Sequence, residues 1–262
     1  MVYVGSWDGN LYALNARTGA NVWSYATGSL VQSSPTVVNG VVYVGSENNN
    51  VYALNASTGA LLWSYPTGQE VISSPAVSNG VVYVGSYDGN VYSLNAGTGA
   101  LLWSYATGDL VISSPAVANG VVYVGSDNGN VYALNADTGN LLWSYAAGAR
   151  VGSSPAVAKG VAYVGSDDGS VYALNVSTGA KQWSYATGAP VGSSPAVANG
   201  VVYVGSGDRN LYALNASTGA KLWSYATGCN AQRCGVDSSP AVANGVAYVG
   251  SDDGNVYAFG LK

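Results

Sequence analysis

Residues 81–120 read VVYVGSYDGNVYSLNAGTGALLWSYATGDLVISSPAVANG, and this forty-residue phrase recurs with few changes from residue 1 to residue 262. Self-similarity at such a period marks a solenoid or propeller, in which each copy is one supersecondary unit that cannot bury its own apolar surface and must stack on its neighbours. Four runs recur in each copy, SSPAVAN, VVYVGS, NVYALN and LLWSYA, each bounded by Gly, Asn, Asp or Thr-Gly. They predict four strands, A to D. Apolar residues keep neither the period nor the length of a helix, and β-branched and aromatic types dominate. Asn-Gly (Asn39-Gly40, Asn79-Gly80, Asn119-Gly120) joins A to B, and Asp-Gly (Asp8-Gly9, Asp88-Gly89, Asp168-Gly169, Asp253-Gly254) joins B to C. Both dipeptides suit the positive φ of tight hairpins, so A pairs with B and B with C.

Proline orients the sheet. Pro35, Pro75, Pro115, Pro155, Pro195 and Pro240 all fall in run A, and a residue without an N–H belongs at an edge. Strand D is then the other edge, and its Lys181 and Lys221 belong at an outer rim. Radial stacking of such sheets hides both faces of B and C and leaves A, with its paired serines, as the inner strand. B and C occur seven times, A and D six times. The fold class expected is therefore all-β, a β-propeller of four-stranded blades of about forty residues, with seven blade positions whose first lacks A and whose last lacks D. A six-bladed ring with a surplus final hairpin is the competing count. One repeat running from end to end predicts a single domain, residues 1–262.

Composition narrows the function. Charged residues make up 8% of the chain and hydrophobic ones 48%, with 36 Gly and 21 Tyr, which suits sheets covered on both faces. A net charge of −5 without a basic cluster argues against nucleic acid and against an anionic membrane surface as partners. No apolar run approaches the roughly 20 residues of a spanning helix, so membrane insertion is not expected. Met1 leads straight into repeat sequence, with no leader pattern in this chain.

Strands C and D together read Ala53-Leu-Asn55-Ala-Ser-Thr58-Gly59-Ala-Leu-Leu-Trp63. This resembles the tryptophan-docking motif A-x-D-x-x-T-G-x-x-x-W of PQQ-like repeat propellers, the family of the quinoprotein dehydrogenases and of the propeller lipoprotein that assists outer-membrane protein assembly. The motif recurs with Trp23, Trp103, Trp143, Trp183 and Trp223 and covers essentially the whole chain. Departures are Asn for Asp at Asn15, Asn55, Asn95, Asn135, Asn175 and Asn215, and Ser93 where Ala is usual. The resemblance implies that the six indoles form a structural girdle between blades. WD40 propellers are the rival, but the chain has no His, and its one Trp-Asp pair, Trp7-Asp8, falls in a turn.

In a meander the D–A and B–C loops share one face and the A–B and C–D loops the other. The second face is monotonous from copy to copy, whereas the first varies: Trp7, Glu47, Tyr87, Asp127, Asp167, Gly207 and Asp252 at the B–C position, and Gln32, Glu70, Asp109, Ile112, Arg150 and Asp237 in D–A loops. Loops on a rigid scaffold commonly carry binding. This variable face is the candidate site, with neutral variation of exposed turns as the plain alternative.

Asp167-Asp168 and Asp252-Asp253 run at once into Gly and strand C, without the alternate carboxylates of a calcium loop, and read as hairpin turns. Zinc is disfavoured by two Cys and no His. The same absence removes Ser-His-Asp and Cys-His catalysis. Glu70, Asp109 and Asp237, with Arg150, leave a carboxylate pair as the only acid–base arrangement to consider. Quinoprotein dehydrogenases hold PQQ and calcium beneath adjacent cysteines, whereas Cys229 and Cys234 bracket Asn-Ala-Gln-Arg in the one inserted loop. A local disulfide between them is expected, which favours an oxidising compartment; free thiols in a cytosolic protein are the alternative.

These observations support a non-catalytic, cofactor-free propeller scaffold that binds a protein, peptide or glycan through its variable face, as a monomer that is extracellular, periplasmic or at the cell surface. The alternatives are a PQQ-dependent quinoprotein-like oxidoreductase, and a recently duplicated or engineered repeat propeller without a ligand.

Overall fold

The computed structural model describes residues 1–229 and 234–260. All regular structure among them is β. The first sheet is β1 (Val2–Gly5), β2 (Asn10–Leu14) and β3 (Asn21–Ala26). The second is β4 (Thr36–Val38), β5 (Val41–Ser46), β6 (Asn50–Asn55) and β7 (Leu61–Pro66). The third is β8 (Ala76–Ser78), β9 (Val81–Gly85), β10 (Asn90–Asn95) and β11 (Leu101–Ala106). The fourth is β12 (Ala116–Ala118), β13 (Val121–Gly125), β14 (Asn130–Asn135) and β15 (Leu141–Ala146). The fifth is β16 (Ala156–Ala158), β17 (Val161–Gly165), β18 (Ser170–Asn175) and β19 (Lys181–Ala186). The sixth is β20 (Ala196–Ala198), β21 (Val201–Gly205), β22 (Asn210–Asn215) and β23 (Lys221–Ala226). The last is β24 (Ala241–Ala243), β25 (Val246–Gly250) and β26 (Val256–Gly260). Each is an antiparallel meander, and the first lacks A and the last lacks D, as the strand count predicts. The chain divides into two compact units, Met1–Val122 with Asn135–Asn140 and Tyr123–Leu134 with Leu141–Lys262.

Local chemistry accounts for the turns. At the A–B hairpin Asn39 and Gly40 both adopt positive φ, 51° and 77°, the pair a type I′ turn requires. The B–C connection differs from the tight Asp-Gly turn the sequence suggests. Only Gly9 is left-handed, its N–H bonds the Ser6 carbonyl, and Asp8 caps the loop by accepting the Asn10 N–H. Strand A is also shorter than expected. Pro75 precedes β8 rather than lying in it, which removes the missing donor from the ladder altogether.

The paired serines do structural work ahead of strand A. Ser73 is buried and its hydroxyl accepts the Gly85 N–H, while the Ser74 N–H bonds the Ser114 hydroxyl one repeat on. In the second unit Ser154 bonds Ser194 in the same way, and Ser194 bonds Ser239.

Sheets join through alternate residues. Leu11, Ala13 and Trp23 of the first sheet pack on Val42, Val44, Tyr52 and Leu54 of the second. The opposite side of the second, Tyr43, Val51, Ala53 and Trp63, packs on Val82, Val84 and Leu94 of the third. A period of two therefore places one set of each sheet's B and C residues forward and the other backward.

Five of the indoles make a specific bond to the sheet that follows. Trp23 donates to the Ala56 carbonyl of the next sheet at 3.0 Å, Trp63 to Ala96 at 2.9 Å, Trp103 to Ala136 at 2.9 Å, Trp143 to Val176 at 2.8 Å and Trp183 to Ala216 at 2.9 Å. A tyrosine of strand B donates to the same carbonyl, as Tyr43 does to Ala96 at 3.1 Å. The glycine of Thr-Gly lies flat on the indole: a Cβ on Gly139, whose φ is +72°, would stand 2.7 Å from Trp103 Cδ2. Trp103→Ala should cost roughly 3–5 kcal/mol by cavity formation. Gly139→Ala should cost about 1–3 kcal/mol through the same contact. Urea unfolding measures both. Ser93 supplies a third test, because its hydroxyl is buried without a partner where other copies carry Ala53 or Ala133. Ser93→Ala should gain about 1 kcal/mol.

Candidate functional site

On the variable face D–A loops within both units are bound to the B–C turn of the sheet that follows. The Glu47 N–H donates to the Leu30 carbonyl, Tyr87 to Glu70 and Asp167 to Arg150, at 2.9–3.0 Å. A buried serine adds to this, Ser86 donating to the carbonyls of Gln69 and Glu70 at 3.1 and 3.3 Å. The loop backbones are thus held alike while their side chains differ.

A second fastening uses the aspartate of the turn. Asp88 Oδ2 accepts the Tyr92 hydroxyl at 2.6 Å and the Gly68 N–H of the preceding D–A loop at 2.7 Å, while Oδ1 accepts the Asn90 N–H at 2.9 Å. Asp208 repeats this with Tyr212 and Gly188, and Asp253 with Tyr257 and Gly228. Asp168 bonds the Tyr172 hydroxyl. In two copies the residue is Asn48 or Asn128, whose amide instead donates to Tyr52 or Tyr132. The Asp-x-x-x-Tyr spacing that carries this device is visible in the sequence, yet the turn reading alone does not reveal it. It gives the Asp-Gly aspartates a structural role.

The sequence-chosen residues gather in local groups. In the first unit Trp7 is 74% exposed beside a cavity of about 330 Å³ lined by Asp8, Asn10, Ala26, Ser29 and Leu30. Gln32 donates to the Glu47 carboxylate. Glu70 and Tyr87 meet through the backbone, and the Asp109 carboxylate caps its own loop by accepting the Leu110 N–H at 2.8 Å. Ile112 is half-buried. In the second unit the Arg150 guanidinium stands 3.0 Å from Asp127 and 3.9 Å from Asp167, over a cavity of about 240 Å³. Asp127 and Asp167 belong to the variable B–C position, and the structure brings both to Arg150. Asp237 is exposed.

Cys229 and Cys234 are joined as a disulfide with Cα atoms 4.6 Å apart. The intervening Asn-Ala-Gln-Arg lies outside the described residues. Arg209, at a φ of 76° where other copies have Gly or Asn, reaches Cys229 Sγ at 3.6 Å. Among the described residues no three His, Cys, Asp or Glu side chains group as metal ligands would. The donor set does not fit PQQ with calcium: the two cysteines are not adjacent, and each is the other's partner.

Electrostatics follow from the fastening. Burial pulls the Asp88 carboxyl upward, but hydrogen bonds from Tyr92, Asn90 and Gly68 outweigh it and hold it below the ordinary range; Asp208 behaves likewise. The Tyr257 hydroxyl, with Asn255 and Gly228, holds Asp253 down at about 2. Burial and the Asp168 bond push Tyr172 up to about 12, and Tyr92 and Tyr212 rise for the same reasons. A depressed carboxylate contributes stability that is complete above about pH 4 and is lost as pH falls through its folded value. The raised tyrosines contribute stability that is complete below about pH 10 and is lost as pH climbs through theirs. Asp88→Asn imitates Asn48 and Asn128, so it should fold and should flatten the acid limb of a Tm-against-pH profile. An acid limb as steep as that of the parent would contradict the assignment.

The family model described as outer membrane protein assembly factor BamB matches residues 7–154, 108–191 and 147–262. No curated protein matches the chain significantly. The structure of BamB from Moraxella catarrhalis superposes with a TM-score of 0.83 at 24% identity, over 99% of this chain and 81% of that one. The crystal structure of the computationally designed Ika8 protein superposes with a TM-score of 0.88 at 20% identity, over 99% of this chain and 80% of that one. At these identities the likeness concerns the fold, a β-propeller. With repeats, docking tryptophans and family model in agreement from end to end, the chain belongs to the PQQ-like repeat propellers of the outer membrane protein assembly factor BamB family.

Proposed function

We propose that this chain is a non-catalytic scaffold, one propeller domain over residues 1–262, that binds a protein, peptide or glycan on its D–A/B–C face. The observation that carries this reading is the contrast on that face: loop backbones are held by the same bonds in successive copies, while the side chains they present differ, from exposed Trp7 above its cavity to Arg150 between Asp127 and Asp167. A rigid frame carrying variable side chains lowers the ordering cost of binding. The family's description as an outer membrane protein assembly factor supports a protein partner. Together with the Cys229–Cys234 disulfide it supports an extracellular, periplasmic or cell-surface location.

The test is a displayed peptide library and a glycan panel screened against the parent chain. Ligands of the proposed face should weaken about tenfold or more, a loss of about 1.4 kcal/mol, with Trp7→Ala or Arg150→Ala. They should be indifferent to Asp137→Ala in a C–D turn. Ligands that follow Asp137 and ignore Trp7 and Arg150 would move the site to the opposite face.

A further inference from the structure

Three cavities on the D–A/B–C face are one cavity repeated. Trp7, Gly9, Gly28 and Leu30 line it in the first sheet, Asp127, Gly129, Gly148 and Arg150 in the fourth, and Asp167, Gly169, Gly188 and Pro190 in the fifth, from equivalent places. Each lies between a sheet's own B–C turn and its own D–A loop, so its walls need no neighbouring sheet. The frame is the same each time. The turn glycine is left-handed at a φ of 86°, and its carbonyl accepts the N–H of Thr27, Ala147 or Thr187 at 2.7–2.9 Å. A Cβ on Gly9, Gly129 or Gly169 would stand 3.2–3.3 Å from the carbonyl oxygen of Ser29, Ala149 or Ala189. Two places in the wall differ, one in the turn and one in the loop: Trp7 with Leu30, Asp127 with Arg150, Asp167 with Pro190. The cavities measure about 330, 240 and 110 Å³ in that order.

Resting on the reading of this face as a binding surface, we propose that the cavities are side-chain pockets for a peptide, that the turn residue and the loop residue of one sheet decide together what its pocket admits, and that the Trp7–Leu30 pocket takes an apolar side chain, aromatic by preference. The polar groups of that pocket are already engaged. Asp8 Oδ1 accepts the Asn10 N–H and side-chain amide at 3.0 and 3.1 Å, Oδ2 accepts the Tyr12 hydroxyl at 2.7 Å, and the Ser29 carbonyl accepts the Thr27 hydroxyl at 2.8 Å. What it offers a ligand is the exposed indole of Trp7 and the Leu30 side chain. Both favour an apolar group leaving water, and the indole favours a ring. A sugar, with hydroxyls on every side, would lose water there without equal return. The volume is at the lower end of the roughly 300–1,000 Å³ of small-ligand sites, which suits one side chain. In the fourth sheet the same frame carries the Asp127 carboxylate and the Arg150 guanidinium 3.0 Å apart, and an apolar group seated there would strip water from an ion pair. Selectivity thus comes from what the two wall residues reject as well as from what they hold.

The indole N–H signal of Trp7 in proton–nitrogen NMR spectra, identified by its loss in Trp7→Ala, reads the first pocket. N-acetylphenylalaninamide titrated through the millimolar range should move it, while N-acetyllysinamide and methyl glucoside at the same concentrations should not. Leu30→Arg, which gives the first pocket the loop residue of the fourth, should weaken the phenylalanine probe about tenfold or more. Asp127→Trp with Arg150→Leu should add an indole signal that the same probe moves. A Trp7 signal that ignores the phenylalanine probe overturns the proposal, as does one that methyl glucoside moves equally, which would assign the pocket to a glycan. An affinity untouched by Leu30→Arg, or a folded double variant whose added indole ignores the probe, overturns the rule of two wall residues. If the double variant loses the near-ultraviolet circular dichroism of the parent, Leu30→Arg decides that rule alone. Library peptides that depend on Trp7 while the phenylalanine probe leaves its signal unmoved would defeat the pocket and leave the face standing.

Discussion

The bond from an indole to the carbonyl of the following sheet, made by Trp23, Trp63, Trp103, Trp143 and Trp183, is what the rest of the fold depends on. A four-stranded sheet of this composition has two apolar faces and no means of its own to choose an angle or register against its neighbour. Hydrophobic burial is non-directional. The Trp63 N–H, the Tyr43 hydroxyl and the Ala96 carbonyl form a directional anchor at one corner of the interface, and Gly99 lets the backbone close on the ring. Because the acceptor lies in the turn that precedes the next tryptophan, each sheet is both held and holding. Coupling of this kind runs between nearest neighbours, the condition under which stability becomes a sum of repeat and interface contributions.

Much of the fold was legible in the chain because its signals are backbone signals. Asn39-Gly40 demands positive φ at two successive residues, and Thr58-Gly59 leads to Trp63 at a spacing that only the C–D connection explains. What the sequence reading misjudged has a common cause. Run A reads as a strand through its proline and serines, whereas Ser73 and Ser74 bond Gly85 and Ser114, outside any ladder. Side-chain bonds across a repeat leave no local periodicity to read.

The candidate face was legible only as a location. Differences between copies point to Trp7, Gln32 and Arg150, but a neighbouring repeat supplies partners to two of them, Asp167 to Arg150 and Glu47 to Gln32. The Asp88–Tyr92 pair was overlooked for the opposite reason. It is common to most copies, which marks it as scaffold. Scaffold it is, and it is also the means by which the loops are presented.

The serine ladder carries a consequence for how this chain reaches its native state. Successive copies make interchangeable contacts, so a sheet that seats against the wrong neighbour satisfies nearly the same bonds as one that seats correctly. Such slips by a whole repeat are kinetic traps of repetitive chains. The ladder steps 40 residues from Ser154 to Ser194 but 45 from Ser194 to Ser239. The longer connection before β24 is thus a mark of position in an otherwise uniform chain, giving a nascent array one junction that cannot be mistaken for another.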